Sequence, residues 1–270
     1  MSLVTRSALR AMEKIAPLRL AEKWDNVGLL LETPVPRPSA NRILLTNDLT
    51  PAVLEEALEP STALVISYHP SIFKPLTSFT LSNPLQSFLL KLAAAGVSVY
   101  CPHTALDCVH GGINDWLARC IATPKDGTSP DQMIVSILRE PKGDEGGLGR
   151  LLTLKEPVKI DELVTRIKNH LHLDYVDVGK PVVPRDVHTI AICAGSGSSV
   201  LEGVDADVYF TGEMAHHEVL AAVAAGRYVV LCGHTNTERG YLPVLASKLS
   251  STLAEFANAS DHNHLRGSDE

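Results

Sequence analysis

No pair of cysteines in this chain has the Cys-x-x-Cys spacing of a thiolate metal site or redox couple. The five thiols, at 101, 108, 120, 193 and 232, leave an odd count. Cys101, Cys193 and Cys232 fall in apolar runs, where a thiol behaves as a small hydrophobe. No signal peptide opens the sequence, so a reducing compartment is expected: cytoplasmic, with nuclear or mitochondrial as alternatives. Arg6 and Arg10, without an acid before Glu13, faintly resemble a presequence, but Glu13, Glu22 and Asp25 interrupt that pattern. No uncharged apolar stretch reaches the length of a membrane span. No basic stripe is present in a chain of net charge −7, which disfavours non-specific nucleic-acid binding. Solenoid repeats and low-complexity tracts are missing too.

What remains is a globular composition, 45% hydrophobic and 20% charged, with a mean hydropathy of +0.08. At 270 residues the chain can bury one large core or two smaller ones. Helical spacing over 6–16 ends at Pro17. Strands are expected at 42–45, 63–67 and 97–101, alternating with helices near 51–58, 85–95 and 112–120. After a Pro- and Gly-rich stretch holding one strand (133–138), alternation resumes. A helix at 162–171, strands at 188–194, 207–210 and 228–232, and helices at 214–225 and 237–249 follow. Such alternation predicts an α/β fold of two lobes with mostly parallel, mixed sheets. The expected boundaries are 1–122, a connection over 123–147, and 148–270, with residues 261–270 loose.

The stretch Val229-Val-Leu-Cys-Gly-His-Thr-Asn-Thr-Glu238 is the focus of the chemistry. If a helix starts at His234, that imidazole and the Glu238 carboxylate project from one face a turn apart and can share a divalent ion. The competing reading is a Thr235-x-x-Glu238 capping box, which would spend the carboxylate on backbone N–H groups. His69, His103 and Glu213 also follow directly on apolar strands, and ligands collect at the carboxyl ends of strands in open α/β sheets. Asp107 lies four residues after His103. The set His69, Asp107, His234 and Glu238 gives two imidazoles and two carboxylates, a donor mix suited to zinc, iron or manganese. Because carboxylates bridge, one or two ions are compatible with it. A bridged pair activates water for attack on a phosphoryl or carbonyl-like centre.

The chain resembles the dinuclear metal-centre proteins of the NGG-one-interacting-factor-three-like family, often labelled type 2 GTP cyclohydrolase-like. The resemblance rests on Trp24-Asp-Asn-Val-Gly28, Asp48-Leu-Thr50, Tyr68-His-Pro-Ser-Ile-Phe73, His103-Thr-Ala-Leu-Asp107, Gly147-Leu-Gly-Arg150, Gly195-Ser-Gly197, Thr211-Gly-Glu213 and Gly233-His-x-x-x-Glu238. They stand in the family's order, as one domain from about 6 to 265. The resemblance implies that His69, Asp107 and Glu238 bind one metal, with Glu238 reaching a second that His234 also binds. The family's remaining ligand, a histidine before the His-Pro histidine, is Tyr68 here. Phenol, titrating near pH 10, is a poorer neutral ligand than imidazole, so the second ion is expected to be weak or absent. The two-lobe reading puts the metal site in the cleft between the lobes, and the resemblance also implies a hexameric ring with metal sites facing its interior. Two functions follow: a metal-dependent hydrolase (cyclohydrolase- or phosphoesterase-like) on a small nucleotide or phosphate compound, or a non-enzymatic, metal-stabilised oligomer that binds protein partners, linked to transcription.

His103 and Glu213 lie outside that ligand set and are candidates for orienting ligands or moving protons. The alternative for His103 is a strand-end histidine satisfied by backbone. Of His216 and His217 at most one can face the site. Gly195-Ser-Gly-Ser-Ser199 reads better as a tight strand-to-helix turn than as an anion loop. His262 and His264 read as parts of a loose end.

Overall fold

The computed structural model describes residues 1–122 and 133–265, with side chains through residue 259. The chain divides into two compact units, Met1–Leu106 with Leu242–Glu270, and Asp107–Tyr241.

The first unit opens with α1 (Leu3–Ile15), capped by Ser2, whose hydroxyl accepts the Thr5 N–H. Then follow β1 (Gly28–Leu31), β2 (Arg42–Thr46), α2 (Pro51–Ala57), β3 (Thr62–Ser67), α3 (Pro84–Ala94) and β4 (Ser98–Cys101). Thr50 and Asn83 cap α2 and α3, each followed by proline in the first turn, where a missing N–H costs nothing. The sheet order is β1-β4-β3-β2. β2, β3 and β4 run parallel, and β1 is antiparallel to β4. Leu44, Val65 and Val99 pack with Leu54, Ala57 and Leu92 of α2 and α3. β3 is buried along its whole length, as a central parallel strand must be. A helix not foreseen from the sequence, α4 (His103–Cys108), follows β4 and carries the chain into the second unit.

There α5 (Ile113–Ala122), β5 (Met133–Arg139), β6 (Leu148–Val158), α6 (Ile160–Leu171), β7 (Asp177–Gly179), β8 (Val187–Ser196), α7 (Ser198–Leu201), β9 (Val208–Glu213), α8 (His216–Ala224) and β10 (Tyr228–Leu231) build a sheet of order β5-β6-β8-β9-β10-β7. Only β8, β9 and β10 run parallel; β5, β6 and β7 join antiparallel at the flanks. The second sheet is therefore mixed, with a parallel centre. Ala191, Cys193, Tyr209 and Val229 pack with Val200, Leu201 and Ala222 of α7 and α8, while α5 packs against β6, β8 and α6.

The last helix, α9 (Leu242–Leu265), packs on α1 and β2 of the first unit. Lys14 pairs with Glu255 at 2.6 Å and the Arg10 guanidinium covers the Phe256 ring. The expected boundaries at 122 and 148 thus differ from those the packing draws. α5 belongs with the second sheet, and the closing helix returns to the first. That helix also starts at Leu242 and not near 237, because Pro243 fits only a first turn. It runs through Leu265, where a loose end was expected. Residues 123–132 of the expected connection, residues 266–270, and the side chains of His262 and His264 lie outside the described residues. Among the described residues no helix is long and apolar enough to cross a membrane.

Candidate metal centre

In the first unit, pairing continues past the end of β3. The Tyr68 and His69 N–H groups donate to the carbonyls of Thr46 and Asn47, and Ser67 Oγ donates to the His69 carbonyl at 2.8 Å. His69 Nδ1 lies 2.8 Å from Asp48 Oδ1. His103 begins α4 at φ +28°, and its Nδ1 lies 2.8 Å from Asp25 Oδ1. The Thr104 N–H and hydroxyl donate to Asp25 Oδ2. Burial of the Asp25 carboxyl pushes its pKa up, but the hydrogen bonds from His103 and Thr104 win and hold it below the usual carboxylate range. Trp24-Asp-Asn-Val-Gly28 thereby acquires a structural meaning: Asp25 orients His103, and the Asn26 amide donates to the Ile72 carbonyl.

Tyr68 is buried, its ring 4.9 Å from His69 and 5.5 Å from His103 between centroids. A phenol thus packs against two imidazoles, themselves 5.4 Å apart, at the position where the family resemblance implies a ligand.

In the second unit, β10 ends at Leu231, and two residues on Gly233 is held at φ +85°. No α-helix begins at His234. The chain closes instead through two successive 3-10 turns, Thr235–Thr237 and Arg239–Tyr241. Even so, His234 Nε2 and Glu238 Oε1 meet at 3.1 Å, so the carboxylate reaches the imidazole without an α-helix between them. Glu238 is only 2% exposed. His234 Nδ1 lies 3.0 Å from Glu213 Oε1. The Glu238 hydrogen bond, with that of Glu213, outweighs burial and raises the His234 pKa to about 9.

The neighbouring glycines fit this geometry. Gly195, at φ +62°, would carry a Cβ 2.5 Å from Glu238 Oε1 and 2.9 Å from His234 Nε2. A Cβ on Gly212 would stand 2.8 Å from the His234 Cα and one on Gly197 2.4 Å from Thr211 Oγ1. Gly195 N–H donates to Thr237 Oγ1, which itself donates to the His234 carbonyl. Gly195-Ser-Gly and Thr211-Gly-Glu213 are therefore close-packing segments against His234 and Glu238. The first is the tail of β8 followed by the single turn α7, as the turn reading expected.

Asp107, on α4, and Glu238 both act on the Cys193 thiol: burial foremost, then the Asp107 charge, with Cys108 and Glu238 adding, push it up. His216 and His217 are both exposed, their rings 5.3 Å apart.

Each of the three strand-end histidines thus has a carboxylate at Nδ1: Asp48 for His69, Asp25 for His103 and Glu213 for His234. A carboxylate there fixes the ring and its tautomer and leaves Nε2 as the donor to a metal or substrate. Of these carboxylates only Glu213 is anticipated by its strand-end position. Asp48 and Asp25 also stand near apolar segments, but their partners lie 21 and 78 residues away, beyond any local pattern. With metal–ligand bonds of about 2.0–2.2 Å, two ligand atoms on one ion lie about 3.0–3.5 Å apart. The His234–Glu238 separation fits, and Gly195 keeps the space over both atoms free of a side chain.

The family model described as Duf34/NIF3 (NGG1p interacting factor 3) matches residues 4–264. The NIF3 homolog of Schizosaccharomyces pombe is 46% identical over 247 residues, covering 90% of this chain and 88% of that protein. The Saccharomyces cerevisiae NGG1-interacting factor 3 is 36% identical, covering 88% and 89%. Among solved structures, reduced HcgD from Methanocaldococcus jannaschii superposes with a TM-score of 0.74 at 25% identity, covering 91% and 93%. Protein ybgI, described as of unknown function, superposes with a TM-score of 0.75 at 22% identity over the same shares.

Proposed function

Since this chain belongs to the Duf34/NIF3 family, we propose that it is a metal-binding protein in which His69, Asp107, His234 and Glu238 hold a divalent ion of zinc, iron or manganese. The observation that carries this reading is the His234–Glu238 pair at 3.1 Å beneath Gly195. His69, His234 and Glu238 offer two imidazole nitrogens and a carboxylate oxygen able to hold an ion, and Asp107 adds a second carboxylate. All are borderline-hard N/O donors, and none is a thiolate. Asp48 and Glu213 hold the two ligand imidazoles by Nδ1, and Glu238 is removed from bulk water. Such an ion supplies a Lewis acid that polarises a phosphoryl or carbonyl oxygen and acidifies water. The chain then acts as a hydrolase on a small nucleotide or phosphate compound.

A second reading is favoured by Tyr68. Where a second ion needs an imidazole, this chain places a buried phenol, and a relative of similar length in yeast is named for interacting with NGG1. In this reading the protein is a metal-stabilised oligomer, a hexamer by family resemblance, that serves protein partners. Elemental analysis of freshly purified protein separates the two. One or two tightly bound ions per chain with turnover of phosphoesters support hydrolysis; fewer than one, with no turnover, supports the partner reading. Tyr68→His is expected to add an ion per chain, and an unchanged count would clear Tyr68 of blame.

A further inference from the structure

Beside His69, within the first unit, lies a cavity of about 500 Å³ lined by Ser71, Phe73, Lys74, Leu76 and Leu85. Three features of it are not explained by packing. Ser71 is 7% exposed, and its Oγ is buried without a hydrogen-bond partner, a cost that a fold does not ordinarily bear. Lys74 brings an exposed ammonium to the same wall. Phe73 is 54% exposed and meets Trp24, 63% exposed, edge to face with centroids 6.0 Å apart. Two large aromatic rings side by side in solvent form a ledge that an apolar interior would normally claim. The cavity's carboxylate, Asp48, is engaged by His69 Nδ1 through Oδ1 and by the Asn47 amide through Oδ2.

We propose that this cavity binds a phosphate monoester carrying a planar ring, a nucleoside monophosphate in chemical class. The phosphate is taken by Lys74 and, after one χ1 rotation, by the Ser71 hydroxyl, and the ring stacks on Phe73, with Trp24 flanking it. Nothing on the ledge reads base edges, so recognition is tolerant of the base, as stacking platforms are. The proposal rests on the metal reading only for its consequence, that the phosphate is delivered next to His69. The binding itself requires no metal.

The test is calorimetric titration of the full-length, metal-stripped protein with adenosine 5′-monophosphate and with ribose 5-phosphate, on wild type and three variants. Wild type is expected to bind both, the nucleotide about tenfold more tightly. Lys74→Ala weakens both about tenfold and Ser71→Ala severalfold. Phe73→Ala erases the difference between the two ligands and leaves ribose 5-phosphate unchanged. Absence of saturable binding by wild type, or affinities unmoved by Lys74→Ala and Ser71→Ala, overturns the proposal. Metal content measured on the same samples keeps the two questions apart. Nucleotide binding with these dependencies on a protein that takes up no metal sinks the metal reading and leaves this one standing. A metal-replete protein with no affinity for either phosphate does the reverse.

Discussion

At position 195 a methyl group would stand 2.5 Å from a Glu238 carboxylate oxygen and 2.9 Å from the His234 imidazole, on backbone at φ +62°. Gly203 has a similar φ, +72°, with nothing within 4 Å of an added Cβ. The pair separates backbone strain from the crowding of the donors. Both alanine variants lose about 1–2 kcal/mol to the left-handed conformation. Only Gly195→Ala is expected to lose metal as well, read as ions per chain, while Gly203→Ala keeps the wild-type count. A different residue sets a pH dependence. Burial foremost, then the charges of Arg119 and His172, lower the His170 pKa from 6.5 to about 4, and its ring leans on Trp116. Between those values the unfolded chain binds a proton that the folded chain refuses, so stability falls as pH drops below about 6.5 and this contribution is gone near pH 4. Allowing for partial exposure, the swing is on the order of 2 kcal/mol. His170→Asn should flatten the slope of urea midpoints against pH across that window. The histidines at strand ends were legible in the sequence because a strand's end is marked by where its apolar run stops. Of their orienting partners only Glu213 was, since a pairing such as Asp25–His103 arises only once β1 and β4 are neighbours in the sheet.

Gly147-Leu-Gly-Arg150 shows how an element is pinned. The Arg150 side chain is 1% exposed and grips Asp115 of α5 through both carboxylate oxygens, at 2.7 and 2.8 Å. It also donates to the carbonyls of Gly147, Gly149, Cys108 and Val109. One guanidinium thus ties β6, α5 and the end of α4 together, a geometry that an ammonium cannot reproduce. Arg150→Met would take two hydrogen bonds from Asp115, leaving that of the Gly111 N–H, and one donor from each of four carbonyls, and is expected to cost about 3–5 kcal/mol, read as a lowered urea midpoint. Arg150→Lys should recover only part of it. The central strands and amphipathic helices could be read from periodicity because their burial is regular. β6 escaped because Gly149 and the Lys155-Glu-Pro157 stretch break its apolar pattern, and its pairing with β8 is itself irregular between Thr153 and Val158. α4 escaped because six residues give no period to count. The helix expected at His234 failed for a local reason that the sequence did contain, namely Pro243. The two donors meet there regardless, since 3-10 turns also bring residues a few positions apart onto one side.

At the scale of the whole molecule, the ligand set proposed for the ion is divided between the units: His69 belongs to the first, and Asp107, His234 and Glu238 to the second. An ion that draws on both sets couples their unfolding, because neither unit can open without releasing it. Binding only the folded form stabilises by an amount that grows with ligand concentration, about 4 kcal/mol at a thousandfold excess over Kd. The metal-replete protein is therefore expected to melt in a single transition that rises with added metal. Exhaustive chelation should lower it and split it in two, one step for each sheet. His69→Ala tests the division directly. If His69 is a ligand, this variant melts in two steps even in excess metal, as the stripped protein does. If it keeps the full metal count and the single transition, the ion belongs to His234, Glu238 and Asp107 alone, and the first unit contributes no ligand to it.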